Sequence, residues 1–222
     1  MTQAASLDTI LLNLASVLIL LCAFACLGSK LFDRYLSYYA LQSVLLSAAA
    51  AIVAERLGSP ALWVLAVLTL LIKGVGIPIA TRRYLVARLS LKRDAAITLG
   101  LSTSLIIGAG LTALAYFAMR PGTLPGPLLD TAAVPLAMAV VLLGGLCMVV
   151  RRHTIAQLLG WLIVENGAFL GAITLVATFP FIVEAGIFLD LVAGVLIMLA
   201  LVSGLAQRLA SATATDLRRL KG

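Results

Sequence analysis

Seven long, uninterrupted apolar stretches constrain this chain more than any other feature of its sequence. Each stretch is near the ~20 residues that a helix needs to cross the roughly 30 Å hydrocarbon core of a bilayer. The chain is 63% hydrophobic and 11% charged, whereas soluble domains carry about 25% charged residues. The apolar runs are continuous and do not alternate, which argues against a β-barrel. We therefore predict an all-α, polytopic membrane helical bundle with seven transmembrane helices, at residues 8–29, 36–54, 60–80, 96–118, 131–150, 156–177 and 184–206.

The basic residues predict how these helices are oriented. Of the 16 Lys and Arg residues, thirteen fall in the loops after the first, third and fifth stretches and in the C-terminal tail. Arg56 and Arg120 fall on the opposite side, and Lys73 lies inside the third stretch. Because loops rich in Lys and Arg stay in the cytoplasm, the N-terminus is expected outside and the C-terminus inside. The first stretch has no basic residue before it, so we expect a retained helix and not a signal peptide.

Residues 120–130, RPGTLPGPLLD, divide the chain into two parts. This segment contains three prolines and two glycines and cannot be helical throughout. We predict a four-helix N-terminal membrane extension at 1–119, a linker at 120–130, and a three-helix module with a cytoplasmic tail at 131–222.

Most polar residues within the apolar stretches are neutral. Asn13 and Gln42 are expected to bond across to neighbouring helices. Cys22, Cys26 and Cys147 fit no metal-binding or redox spacing and are expected to be buried apolar residues. The sequence therefore predicts no metal site and no cofactor site in this chain.

The sixth stretch contains an acid, Glu165, followed by Asn166 and Gly167. A carboxylate in hydrocarbon is costly, so it marks a functional site by default. Glu165 follows His153 by about 12 residues, or ~18 Å of helix, which places it near the middle of the membrane. His153 is the only histidine and lies at the predicted cytoplasmic boundary. It is either a proton-uptake group or a solvated loop residue.

The seventh stretch contains a second buried acid, Asp190. It shares one helix stripe with Gly186 and Gly194, so we expect it to face a protein neighbour. Glu184 lies at the predicted outer boundary. Acids on two adjacent helices fit a proton relay. The alternative is a structural acid that pairs with Lys73 or with a partner subunit.

Lys73 lies about thirteen residues into the third stretch and precedes Gly74, Gly76 and Pro78. Pro78 has no amide hydrogen for the carbonyl of Gly74, so the helix is predicted to kink or open just beyond the lysine. The arginines at 82–83 lie ~13 Å further along, which is far for a snorkelling side chain. Lys73 is therefore either a buried functional amine or a snorkelling or statically paired cation.

The back half of the chain carries a resemblance to known membrane subunits. The run VVRRHTIAQLLGWLIVENGAFLG, followed after a short loop by EAGIFLDLVAGVLIMLAL, resembles the three-span K-type subunit of respiratory complex I. It is also similar to the C subunit of Mrp-type sodium/proton antiporters. The four-span front extension and the "ENG" after the first acid resemble the E component of hydrogenase-4 and formate hydrogenlyase-type complexes.

That resemblance implies a non-catalytic membrane subunit of a group 4 [NiFe]-hydrogenase, a complex I-like assembly of the bacterial cytoplasmic membrane. Glu165 would match the buried glutamate of the second K-type helix, and Asp190 or Glu184 the acid of the third. Lys73 has no K-type counterpart. The resemblance also implies antiporter-like and quinone-site-type subunits as partners. It places the [NiFe] centre and iron–sulfur clusters in partner subunits.

Two other classes of function stay open at this point. One is a subunit of an Mrp-type cation/proton antiporter, without redox chemistry. The other is a structural membrane scaffold. An autonomous transporter is disfavoured because the sequence has no detectable inverted repeat and no pair of broken helices.

Overall fold

The computed structural model describes residues 7–82, 100–119, 132–152 and 154–175, which all belong to one compact unit, Met1–Ile187. They form helices joined by short turns, without a strand, and six of these helices are long and apolar enough to cross a membrane. This confirms the all-helical class and six of the seven predicted spans. The seventh span and the linker lie outside the described residues. The helices are α1 (Leu7–Gly28), α2 (Phe32–Leu57), α3 (Pro60–Thr81), α4 (Leu101–Ala118), α5 (Ala133–Val150) and α6 (Thr154–Leu175).

A glycine and a proline make the turn between α2 and α3. Gly58 adopts a left-handed φ of 58°, which glycine reaches without steric cost, and its N–H donates to the carbonyls of Ala54 and Glu55. Pro60 then begins α3, at a position where its missing amide hydrogen is not needed. The two helices therefore pack side by side as a tight hairpin.

The middle of α3 is π-helical from Leu70 to Gly76, with Lys73 at its centre. The amide of Ile77 donates to the carbonyl of Ile72, five residues back, whereas an α-helix bonds four residues back. The sequence predicted a distortion just beyond Lys73. The distortion instead includes the lysine, and the helix continues through Pro78 to Thr81. Such widened turns within α-helices are frequent at functional sites.

Glycines bring α5 and α6 into backbone contact. A Cβ atom added to Gly144 would lie 2.6 Å from the backbone nitrogen of Val164, and one added to Gly167 would lie 2.7 Å from that of Val141. Small residues permit this close approach between membrane helices. The contact fixes the rotation of α6 about its axis and leaves another face of that helix to meet α2 and α3.

Candidate functional site

Lys73 of α3 and Glu165 of α6 form an ion pair inside the bundle. Lys73 Nζ lies 3.2 Å from Glu165 Oε2, and the two side chains are only 3% and 5% exposed. The structure therefore brings together two residues that the sequence singled out separately. Pairing of an acid with Lys73 was one of the alternatives that the sequence left open, beside a proton relay between two acids.

Asn166 connects this ion pair to α2. Its Oδ1 accepts a hydrogen bond from Lys73 Nζ at 3.5 Å. Its Nδ2 donates to Gln42 Oε1 at 3.1 Å and to Ser43 Oγ at 3.2 Å. Because Asn166, Gln42 and Ser43 are fully buried, these bonds replace the water that each group has lost. They also fix the amide so that its oxygen points toward the cation.

The hydrogen bonds continue from α2 into α1. Gln42 Nε2 donates to the carbonyl of Ile19 at 3.2 Å, and Ser43 Oγ donates to the carbonyl of Tyr39 at 3.1 Å. The network thus joins α1, α2, α3 and α6. The predicted bond from Gln42 to a neighbouring helix is confirmed, as is that of Asn13, whose Oδ1 accepts from the amide of Ala132 at 3.1 Å.

Trp161 binds the other oxygen of the carboxylate. Its indole Nε1 donates to Glu165 Oε1 at 2.8 Å from one helical turn earlier on α6. Trp161 is 42% exposed, whereas Glu165 is 6% exposed. Glu165 therefore lies between the buried network on one side and a tryptophan at the bundle surface on the other.

The ion pair lies well inside both helices. Lys73 is roughly 12 Å from the C-terminal end of α3 at Thr81, and Glu165 is roughly 15 Å from that of α6 at Leu175. At this depth in a bilayer, water cannot compensate for a lost partner. The charges of Lys73 and Glu165 therefore depend on each other and on the surrounding amides.

The groups of this site differ in the chemistry that they can perform. Lys73 and Glu165 can gain or lose a proton, whereas the amides of Asn166 and Gln42 can only orient their neighbours. Within the described ranges, no three His, Cys, Asp or Glu residues come together in a way that could hold a metal ion. The site is thus suited to proton exchange or to holding charge.

Three predicted site residues, His153, Glu184 and Asp190, lie outside the described residues, so the relay between two acids stays a prediction. Ser43 was not predicted from the sequence. The sequence did contain a signal for it. Polar residues lie three and four positions after Tyr39, at Gln42 and Ser43, so all three share one helix face.

Arg151, directly after α5, forms a second buried cationic site. It is 1% exposed, and its Nη2 donates to the carbonyls of Cys26 at 2.7 Å and Leu27 at 3.3 Å. These carbonyls belong to the last turn of α1, where carbonyl groups have no donor from within the helix; that of Cys26 also accepts from the amide of Ser29. The guanidinium carbon lies 4.8 Å from the centre of the Tyr35 ring. Arg151 was predicted from the sequence only as a cytoplasmic loop charge, but it also caps α1.

Comparison with known proteins finds relatives of two kinds. Over 161 residues, or 72% of this chain, the sequence is 32% identical to the uncharacterized protein Rv0085 of Mycobacterium tuberculosis, of which the match covers 73%. Over 117 residues, or 53% of this chain, it is 30% identical to hydrogenase-4 component E of Escherichia coli K12 and of Shigella flexneri.

The matched segment spans about half, 54%, of each hydrogenase-4 component E. No family model matches the chain, and no solved structure matches it. The resemblance to hydrogenase-4 component E is therefore confirmed as a partial similarity. The finer placement beside the K-type and Mrp subunits stays a prediction.

Proposed function

This chain belongs to the same family as protein Rv0085 of Mycobacterium tuberculosis, and we propose that it is a membrane subunit of a hydrogenase-4-type complex. In this proposal the complex is a group 4 [NiFe]-hydrogenase with a complex I-like membrane arm in the bacterial cytoplasmic membrane. Lys73 and Glu165 form part of its proton path. Two observations support the assignment: the partial similarity to hydrogenase-4 component E, and the six helices long and apolar enough to cross a membrane.

The buried ion pair is the observation that carries the proton-path proposal. Removing two charges from water is expensive, and a well-packed apolar pair of similar volume is often equally stable or more stable. A contact between α3 and α6 therefore does not need Lys73 and Glu165 for stability alone. Intramembrane ionisable residues of this kind mark proton and ion pathways.

The geometry suits a cycle of proton uptake and release. A proton that binds to Glu165 neutralises the carboxylate and removes the attraction that holds Lys73 Nζ at 3.2 Å. The amide oxygen of Asn166, 3.5 Å from Nζ, remains as an acceptor for the ammonium group. Release of the proton to the next acceptor in the membrane arm restores the ion pair. Gln42 and Ser43 keep Asn166 in place throughout.

Redox chemistry is assigned to other subunits in this proposal. The [NiFe] centre and iron–sulfur clusters belong to partner subunits, and antiporter-like and quinone-site-type subunits adjoin this chain in the membrane. The described residues around Lys73 do not fit a metal, because their one acid, Glu165, is paired with the lysine amine. No step of the proposed cycle passes through a metal bound to this chain.

The first test is affinity purification of the tagged chain in mild detergent, with metal analysis of the purified complex. We expect nickel and iron to co-purify in fixed proportion. The complex carrying Glu165→Gln should then keep hydrogenase activity but lose most of its coupled proton uptake in proteoliposomes. Glu55→Gln is the matched control, because Glu55 is exposed near the end of α2 and undergoes the same chemical change.

Other results would contradict parts of the proposal. A metal-free complex with large antiporter-like subunits would replace it with the Mrp-type alternative. A nickel-containing complex in which Glu165→Gln transports protons normally would make the ion pair a structural contact. Loss of proton uptake in the Glu55→Gln control would show that the assay responds to any lost charge.

A further inference from the structure

We propose that a groove beside the turn between α1 and α2 binds an anionic phospholipid. The groove has a volume of about 780 Å³ and lies between this turn and the start of α4. Its polar side chains are Ser29, Lys30, Arg34 and Tyr38, and the Ser29 hydroxyl donates to the carbonyl of Leu31. The turn, residues 29–31, joins two helices of membrane-crossing length, so the groove opens at the membrane boundary, where phospholipid headgroups lie.

Two cations of this groove are available to a phosphate group. Lys30 and Arg34 are both exposed, and within the described part of the chain neither has an acid at ion-pairing distance. The nearest acid in the sequence, Asp33, is occupied by Arg82, whose Nε lies 3.1 Å from Asp33 Oδ1. Basic pockets between membrane helices are suited to anionic headgroups.

The remaining walls of the groove are apolar and suit an acyl chain. Phe24 and Ala25 come from the last turns of α1, and Leu101 and Leu105 come from the first turns of α4. All four residues are partly exposed. A free phosphate would use only the cations, whereas a phospholipid would fill both the charged and the apolar parts. The joint presence of both parts identifies the ligand as a phospholipid.

The test is native mass spectrometry of the full chain in detergent with equal amounts of phosphatidylglycerol or phosphatidylcholine. We expect selective retention of phosphatidylglycerol. The double variant Lys30→Gln/Arg34→Gln should weaken this binding roughly tenfold or more, because it removes both cationic contacts to the anionic headgroup. Arg218→Gln/Arg219→Gln is the control, because it removes the same net charge from the tail.

A second variant separates the lipid from free phosphate. Ala25→Phe should fill the apolar part of the groove, weaken phosphatidylglycerol binding and leave the cations in place. Equal retention of both lipids would overturn the proposal, as would equal loss in the Arg218/Arg219 control. Competition by inorganic phosphate together with unchanged lipid binding in Ala25→Phe would identify a phosphate site instead. If the Lys30/Arg34 variant fails to fold, two other results test the proposal: the loss of phosphatidylglycerol binding in Ala25→Phe, and the preference of the unmodified chain for phosphatidylglycerol over phosphatidylcholine.

Discussion

Asn166 and Gln42 meet side chain to side chain in the interior of the bundle, with Asn166 Nδ2 donating to Gln42 Oε1 across 3.1 Å. This contact joins α6 to α2, while the oxygen of the same Asn166 amide accepts from Lys73. Both amides are fully buried, so each supplies the other with a hydrogen bond that replaces one lost to water. Two uncharged residues therefore set the position of a charged pair.

The first prediction concerns the amide at position 166. Asn166→Leu should destabilise the protein by about 2–3 kcal/mol, because buried polar groups on Gln42 and Lys73 lose a partner. The measurement is thermal or SDS-induced unfolding in detergent. Asn13→Leu is the control and should cost only about 1 kcal/mol, because the half-buried Asn13 accepts a single bond from the amide of Ala132. Equal costs for the two variants would contradict this account.

The second prediction is a double-mutant cycle across the ion pair. Lys73→Met and Glu165→Gln should each cost about 3 kcal/mol, because each leaves a buried group without its opposite charge. The double variant should cost clearly less than the sum of the two, with a coupling energy of about 1–3 kcal/mol. Unfolding in detergent gives all four corners of the cycle. Additive effects would mean that the two charges do not stabilise each other.

The third prediction compares two adjacent glycines of α5. Gly144→Ala should cost about 2 kcal/mol or more, because its new Cβ would lie 2.6 Å from the backbone of Val164 and force α5 and α6 apart. Gly145→Ala meets no atom within 4 Å and should be neutral or stabilising by up to about 1 kcal/mol. Melting temperatures of the purified variants measure the difference. Similar melting temperatures would show that the two helices do not pack through Gly144.

The fourth prediction concerns two adjacent arginines. Arg151→Met should cost about 3 kcal/mol, because it removes a buried cation and the side-chain donor to the carbonyls of Cys26 and Leu27. The carbonyl of Cys26 keeps the backbone amide of Ser29 as a donor. Arg152 is exposed, and Arg152→Met should change stability by only about 0.5 kcal/mol. Both substitutions remove one positive charge. A difference between their unfolding free energies therefore reflects the buried contacts of Arg151 and not the loss of charge. No difference would show that Arg151 does not cap α1.

The fifth prediction concerns orientation, which rests on loop charge alone. A cysteine introduced at Lys30, in the α1–α2 turn, should be protected from a membrane-impermeant maleimide in intact cells. A cysteine at Ser59, in the α2–α3 turn, should react. The native Cys22, Cys26 and Cys147 are buried and give the background. The reverse labelling pattern would invert the predicted topology.

The helices were predictable because crossing a bilayer sets a local requirement of about 20 apolar residues. The fifth stretch, predicted at residues 131–150, is observed at Ala133–Val150. Glu165 and Lys73 could also be identified from the sequence, because an ionisable residue inside an apolar stretch stands out from its immediate sequence neighbours.

Their pairing was less predictable because it depends on how each helix is rotated. An amphipathic helix reveals its buried face, but α6 is apolar on nearly all sides, so its sequence does not indicate which face meets α3. The close contact at Gly144 and Gly167 sets that rotation. The capping role of Arg151 escaped prediction for a related reason, since its partners are carbonyls of a helix more than a hundred residues away in sequence.

The widened turn at Leu70–Gly76 has a consequence for the register of α3. Before the turn, Ser47 of α2 donates to the carbonyl of Ala66 at 2.7 Å. After it, Arg82 binds Asp33 at the other end of α2. A residue inserted into a regular helix would shift every later residue by about 100°. The π segment spans seven residues and confines such a shift to itself. α3 therefore stays aligned with α2 at both of these contacts. Lys73, which lies within the π segment, occupies a position that a uniform α-helix would not provide.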